Sequence, residues 1–287
     1  MTDFTGLLTR YPRAVLDERE RVRAEGGLRE RIRFDLVARP QHACGLLAAA
    51  DVASFSGVDR FVAVEFGVAE GSGLRNLADV AALVTSETGV GISIVGFDSG
   101  RGLPPPRDHR DHPEIWTEGD FAMADAEGIA GTLPADARIV LGQVGETLPE
   151  FVSSFGPDPV GFVSFDLDYH SSTVDALALY DLPADRLLPV TVTCFDDVIG
   201  APTRIGSIFR TAAAGQLLAI DEFNASRDRR RLDALSVLRH RRPLDREPWL
   251  DKMYALHVLD HPIRQPHSRD PASMGDHGRD ERFDWPL

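Results

Sequence analysis

Cysteine and lysine are scarce in this chain, which contains two cysteines and a single lysine among 287 residues. Cys44 and Cys194 lie far apart and lack C-x-x-C spacing, so the sequence predicts neither a disulfide framework nor a zinc site. Cys194 falls in an apolar run and is expected to be a small core residue. No apolar run approaches the ~20 residues that span a bilayer, and the first six residues lack a charged and then apolar leader. We therefore expect a cytoplasmic protein that does not act at a membrane.

Positive charge is also in short supply, with a formal net charge of −14 and a pI near 5.0. A polyanion would be repelled by such a chain, so nucleic acid is not expected as a partner. The arginines between Arg10 and Arg39 are interleaved with acids, which is typical of a solvated helix with ion pairs. The content of 43% hydrophobic and 26% charged residues is that of a globular protein with a substantial core.

The most informative stretch is the one from Arg60 to Gly73. Its apolar run Phe61–Val64 predicts a buried strand that ends at Glu65; glycines follow, and an amphipathic helix begins near Ser72. This order places backbone N–H groups at a helix N-terminus, where they attract the anionic end of a ligand. Glycine lets the main chain approach that ligand, and the acid suits a ligand that also carries a cation or donors. The stretch therefore predicts the cradle of a nucleotide-type cofactor, with a simple packing turn as the alternative.

Strands and helices alternate beyond residue 58, which predicts a doubly wound α/β fold with a mostly parallel sheet. Predicted strands are Phe61–Glu65, Ile92–Phe97, Ala137–Leu141, Val160–Leu167, Val190–Phe195 and a late edge strand at Met253–Leu259, in antiparallel orientation. Predicted helices are Leu74–Thr88, Ser172–Leu179 and Ile205–Phe223. We expect a helical extension over residues 1–58, serving as a lid or dimer surface, then the α/β domain over 59–264. A polar tail over 265–287 is expected to be disordered.

Acidic residues follow the predicted strands at one edge of this sheet. Asp166 follows the fourth strand, and Asp196 and Asp197 follow the fifth. Because the carboxyl ends of parallel strands open onto one edge, these carboxylates are expected to converge there with Glu65 and Asp98. Three neighbouring carboxylates repel one another, and an all-oxygen ligand set suits Mg²⁺. The alternative is that these acids cap helices or solvate loops.

An irregular insert follows the second strand and contains three consecutive prolines, which exclude helix and strand there. Such inserts usually lie at the functional edge of a sheet. Three histidines are candidates for a general base, because imidazole titrates in the useful range: His109 and His112 in the insert, and His170. His170 is preferred, since its position follows directly from a strand.

Six segments, in chain order, resemble the motifs of the macrocin O-methyltransferase family of class I S-adenosylmethionine-dependent methyltransferases. They are Glu65–Gly73 (like E-x-G-V-x-x-G-x-[SG]), Asp98–Pro104 (like D-[ST]-F-E-G-L-P), Gly142–Pro149 (like G-x-x-x-[DE]-T-L-P), Asp166–Thr173 (like D-x-D-L-Y-x-S-T), Asp196–Asp197 (like D-D-Y) and Ala219–Phe223 (like A-V-D-E-F). Gly100 and Arg101 replace the family's Phe-Glu, and Tyr169 and His170 replace its Leu-Tyr, which bears on the acceptor more than on the cofactor.

The resemblance implies a Rossmann-like sheet with an antiparallel seventh strand, S-adenosylmethionine as cofactor and a divalent metal, usually Mg²⁺. The implied metal ligands are Asp166, Asp196 and Asp197, as in catechol O-methyltransferase-like enzymes. The residues expected around the cofactor are Glu65 at its amino acid end, Asp98 on the ribose, and Gly67, Ala69, Gly71, Ser72, Ser99, Gln143 and Asp166.

The function expected from these residues is O-methylation of a small molecule, either a sugar hydroxyl of a natural product or a catechol-like acceptor, by a homo-oligomer such as a dimer. A nicotinamide-dependent oxidoreductase is the first competing hypothesis. Asn76 stands where its third glycine would be, and Lys252, the only lysine, forms no Tyr-x-x-x-Lys pair. A metallohydrolase and a non-catalytic S-adenosylmethionine-binding module are two further hypotheses that the sequence leaves open.

Overall fold

The computed structural model describes residues 10–154, 156–199 and 211–265. Its helices are α1 Arg13–Glu25, α2 Leu28–Arg33, α3 Pro40–Phe55, α4 Ser72–Thr88, α5 Ala126–Gly131, α6 Val144–Ser153, α7 His170–Leu177, α8 Gly215–Ser226 and α9 Val237–Arg241. Its strands are β1 Arg60–Phe66, β2 Gly91–Asp98, β3 Ala137–Leu141, β4 Val160–Phe165, β5 Leu187–Phe195, β6 Arg230–Ala234 and β7 Met253–Val258. Of the helix expected over 205–223, residues 205–210 lie outside the described residues and residues 211–214 form a turn, so the helix begins only at Gly215. Of the tail expected over 265–287, all but Gln265 lies outside the described residues.

The sheet has seven strands in the order β3-β2-β1-β4-β5-β7-β6. Strands β1 to β5 pair in parallel, and β7 runs antiparallel to both β5 and β6. This arrangement confirms the expected Rossmann-like α/β fold. The chain turns back at β1, which lies between β2 and β4, so a crevice opens there at the carboxyl ends of the strands. Among the described helices, none is long and apolar enough to cross a membrane.

The expectation that β7 is an edge strand is wrong, because β6 pairs with it and forms the edge. Strand β6 reads Arg-Arg-Leu-Asp-Ala, and Leu232 is buried while Arg231 and Asp233 are exposed. Charged side chains are common on edge strands, where they discourage pairing with other chains. The sequence did not predict β6 because this strand has charged residues where the other strands have a run of apolar ones.

Helices cover both faces of the sheet. On one face, α3 and α4 pack on residues of β1, β2, β4 and β5, and on the other face α6, α7 and α8 close a second cluster. Helix α3 packs tightly enough that a Cβ added to Gly45 would overlap the ring of Phe162 on β4. Helix α3 is therefore part of the sheet's core, although it precedes residue 59, where the sequence predicted the α/β domain to begin.

Four phenylalanines form a row across the ends of the four central strands: Phe97 on β2, Phe66 on β1, Phe165 on β4 and Phe195 on β5. Phe66 stacks on Phe97 with ring centroids 5.0 Å apart and on Phe165 at 5.2 Å. Phe165 stacks on Phe195 at 4.6 Å. These residues are also paired in the strand register. The row thus aligns the ends of the four strands, and the next residue of each strand comes to the same edge.

Replacing Phe165 by Ala should lower the free energy of unfolding by about 3–5 kcal/mol, because it removes a fully buried ring that contacts both neighbours in the row. Urea unfolding followed by far-UV circular dichroism measures this. Phe121→Ala is the matched control: its ring is 54% exposed, so a loss of about 1 kcal/mol or less is expected. Equal losses in the two variants would contradict the role given to the row.

Candidate functional site

A cleft of about 860 Å³ opens at the carboxyl ends of β1, β2, β3, β4 and β5. The structure brings into its wall eight of the nine residues that the sequence placed around a cofactor: Glu65, Gly67, Ala69, Ser72, Asp98, Ser99, Gln143 and Asp166. Gly71 is the exception. It directly precedes α4 with a left-handed φ of +77°, and a Cβ there would crowd Ile129 and Arg75.

The glycines in and after the turn that follows β1 are needed because neighbouring protein atoms pack closely against them. Gly67 has a φ of +87°, and a Cβ there would overlap the carbonyl oxygen of Asp166. A side chain is therefore excluded by the end of β4. Gly73, in the first turn of α4, leaves room for the carboxylate of Glu65, since a Cβ would overlap Oε1 of Glu65. The two glycines let β1, β4 and α4 meet around one acid.

Glu65 is buried at the end of β1, with 2% of its surface exposed. Its Oε2 has no hydrogen-bond partner among the described residues. Burial, and next to it the charge of Asp166, raises the pKa of Glu65 well above its ordinary value. Buried carboxyl groups normally have partners, and an unsatisfied one is costly. A ligand that brings a cationic N–H donor to the cleft wall would satisfy it.

Asp98 holds the glycine turn in place. Its Oδ2 accepts hydrogen bonds from the backbone N–H groups of Val68 and Ala69, both at 2.8 Å, and its Oδ1 accepts one from Gly100 at 2.7 Å. The expected contact with a ribose stays a prediction. Asp98 lines the cleft, and its Oδ1 accepts only one of these hydrogen bonds, so its second lone pair can still bind a hydroxyl donor.

The three aspartates Asp166, Asp196 and Asp197 converge, and one carboxylate oxygen of each lies within 4.8 Å of the others. Burial, followed by the charges of Asp197 and Asp196, raises the pKa of Asp166 to about 8. Asp197 is oriented by the backbone N–H of Asp168, which donates to its Oδ2 at 2.9 Å. Gln216 on α8 accepts from the backbone N–H of Asp197 at 2.8 Å. Three oxygen donors held this way fit a hard divalent cation such as Mg²⁺.

Lys252 is part of this cluster, and the sequence analysis did not place it there. Its Nζ lies 2.8 Å from Oδ1 of Asp196, and its side chain lines the cleft. The position follows from the antiparallel pairing of β7 with β5, in which Met253 is the partner of Cys194. The residue before β7 therefore lies beside the residues that follow β5. The only feature of the sequence that could have drawn attention to Lys252 is that the chain has no other lysine.

None of the three candidate histidines lines the cleft. His170 begins α7 and its Nε2 lies 2.8 Å from Oε2 of Glu222 on α8. His112 is buried and its Nδ1 lies 2.8 Å from Oε1 of Glu114. His109 lies in a short 3₁₀ helix of the insert. A general-base role for any of them stays a prediction.

The proline-containing insert forms one wall of the cleft, with Leu103, Pro104, Trp116, Asp120 and Phe121 in its lining. The rings of Trp116 and Phe121 meet edge to face at 5.7 Å.

Asp111 anchors this wall. Its carboxylate accepts hydrogen bonds of 2.8 Å from the backbone N–H and the hydroxyl of Ser171 in α7 and from the backbone N–H of Arg107. An acid at a helix N-terminus is favourably placed, so the wall is held firmly.

No family model and no curated protein matches the chain. Among solved structures, the chain is similar to the O-methyltransferase NovP, with 16% identity, 65% of this chain and 72% of that chain covered, and a TM-score of 0.46. It is also similar to CalS11, a calicheamicin methyltransferase, with 20% identity, coverage of 75% and 78%, and a TM-score of 0.45. A third similar structure is the plantazolicin methyltransferase BpumL in complex with SAH, with 7% identity, coverage of 85% and 97%, and a TM-score of 0.33. All three are named as methyltransferases.

Proposed function

We propose that the protein is an S-adenosylmethionine-dependent O-methyltransferase that uses a divalent cation, and that it acts on a hydroxyl of a small molecule. The observation that carries this proposal is the sharing of one cleft by Glu65, a buried carboxyl group with an unpartnered oxygen, and a cluster of three aspartates. Glu65 suits the ammonium group of a nucleoside that carries an amino acid, and the three aspartates suit Mg²⁺.

When bound, S-adenosylmethionine supplies a methyl group already activated by positive sulfur, and a divalent cation supplies charge that acidifies a hydroxyl. The chain's own residues then have to bind and orient the reactants. Glu65 would hold the amino acid end, Asp98 the ribose hydroxyls, and the three aspartates the cation. Trp116 and Phe121 in the insert would exclude water from the opposite wall.

The proton of the acceptor hydroxyl also needs a place to go. Within the described wall of the cleft there is no histidine, and the groups able to take a proton are carboxylates, Asp168 among them. Asp168 is buried at a left-handed φ of 59° directly after β4. The cluster of three aspartates favours catalysis over a module that only binds a nucleoside, because binding a nucleoside alone does not require it.

The acceptor is proposed to be a sugar or a catechol-like molecule. Ligand pockets commonly measure about 300–1,000 Å³, and this cleft, at about 860 Å³, lies near the upper end of that range. It therefore has room for a nucleoside cofactor and a small acceptor side by side. The part of the cleft left for the acceptor would be bordered by the apolar rings of Trp116 and Phe121 and by the polar cluster of three aspartates.

Calorimetric titration should show binding of S-adenosylhomocysteine to the wild-type protein, and Gly73→Ala should weaken it at least about tenfold, since the added Cβ displaces Glu65. Gly131→Ala is the control, because a Cβ there meets nothing within 4 Å. Binding of NADPH in place of S-adenosylhomocysteine would reverse the assignment in favour of an oxidoreductase.

Titration with Mg²⁺ or Mn²⁺ should show a site that Asp196→Asn weakens at least about tenfold, because the variant loses a charged ligand. Asp181→Asn serves as the control, since its carboxylate pairs with Arg227 on the surface. Methyl transfer should fall in metal-depleted buffer. Full turnover by Asp196→Asn in such buffer would show that the metal has no role.

Metal affinity should rise with pH between about 6 and 8.5. Asp166 has its pKa raised to about 8, so at lower pH a cation must displace its proton, and affinity falls by about tenfold per pH unit. Titrations at several pH values measure this slope. In Asp166→Asn the slope should disappear together with most of the affinity, and an unchanged slope would assign the proton to another group.

A further inference from the structure

The N-terminal helices place one arginine in the cleft wall. Arg39 precedes α3, lines the cleft and donates from Nη2 to the hydroxyl of Ser72 at 2.9 Å. Ser72 is the first residue of α4, next to Gly73, which makes room for Glu65. A residue that precedes the sheet in the sequence therefore reaches the same helix start as the buried acid.

The backbone of Arg39 is held in a strained conformation. Its φ of 46° and ψ of 70° lie in the left-handed region, which is unusual for any residue other than glycine and disfavoured before a proline, here Pro40. The carbonyl of Arg39 accepts hydrogen bonds from the backbone N–H groups of His42 and Ala43 at 2.9 and 3.3 Å, which fix this geometry. Strain of this kind is concentrated at ligand-binding sites, where it positions a side chain.

Arg39 is the one cation of the described cleft wall that has no carboxylate within ion-pair distance. The other cation of that wall, Lys252, is paired with Asp196. The charge of Arg39 acts on Glu65 and Asp166 and lowers the pKa of each, so the guanidinium lies near them without contacting them. A guanidinium has five N–H donors, and among the described residues one hydrogen bond to Ser72 is formed. The remaining donors suit a carboxylate bound in the cleft.

We propose that Arg39 binds the α-carboxylate of the methionine part of the cofactor, while Glu65 binds the α-ammonium group. The proposal rests on the proposed function and assigns the two charges of one amino acid group to two side chains that flank the start of α4. An arginine is suited to this role because its planar fork can bind both oxygens of a carboxylate.

Two ligands separate the carboxylate from the rest of the cofactor. S-Adenosylhomocysteine carries both the α-carboxylate and the α-ammonium group, whereas decarboxylated S-adenosylhomocysteine keeps the adenosine, the thioether and the ammonium group and lacks only the carboxylate. Arg39→Met should weaken S-adenosylhomocysteine by about tenfold to a hundredfold in calorimetry, as expected for loss of a charge-assisted contact. It should change the affinity for decarboxylated S-adenosylhomocysteine less than about twofold. Arg60→Met, at the start of β1 where Arg60 donates to the hydroxyl of Ser93, should change neither affinity, because Arg60 does not line the cleft.

A second variant tests whether Arg39 acts merely on folding. Arg39→Gly removes the side chain and suits the left-handed φ, so it should keep the wild-type unfolding midpoint and still lose affinity for S-adenosylhomocysteine selectively. Equal losses for both ligands, or no loss for either, would overturn the proposal while wild-type binding of S-adenosylhomocysteine leaves the proposed function standing. If the wild-type protein binds neither ligand, the proposed function and this proposal both fail.

Discussion

The alignment of four strand ends by stacked phenylalanines is the constraint on which the site depends. Each ring of the row precedes a cleft residue by one position: Phe66 precedes Gly67, Phe97 precedes Asp98, Phe165 precedes Asp166 and Phe195 precedes Asp196. Because side chains alternate between the two faces of a sheet, a slip of one residue in any of these strands would move its ring to the opposite face and out of the stacked row, and would displace the cleft residue that follows the ring. The apolar packing and the polar site are therefore specified by the same register.

The charge in the cleft is strongly unbalanced. The charge of Asp166 raises the pKa of Glu65, and the charges of Asp196 and Asp197 raise the pKa of Asp166. Two cations, Arg39 and Lys252, offset part of this negative charge. A ligand with a sulfonium and an ammonium group, together with a divalent cation, would complement the rest. The proposed chemistry thus matches the sign of the charge that the fold concentrates at this edge of the sheet.

The walls of the cleft come from parts of the chain that lie on either side of the glycine turn in sequence. Arg39 comes from the segment before the sheet, and the insert after β2 supplies Trp116 and Phe121. Both walls are tied down by polar contacts: Arg39 bonds to Ser72, and Asp111 bonds to Ser171. One residue of the N-terminal segment, Arg39, therefore lines the cleft of its own chain.

The sequence by itself determined the parallel strands, the helix after the glycine turn and the convergence of Asp166 with Asp196 and Asp197, because apolar periodicity and strand-end position are local properties of a chain. Only the tertiary structure decided that β6 closes the edge, that Lys252 joins the cluster and that the three histidines stay out of the cleft wall. Lys252 meets Asp196 through the pairing of β7 with β5, and His170 lies against Glu222 through the packing of α7 on α8. Such contacts join residues that are far apart in the chain, and their existence depends on strand order and helix packing, which no short stretch of sequence encodes.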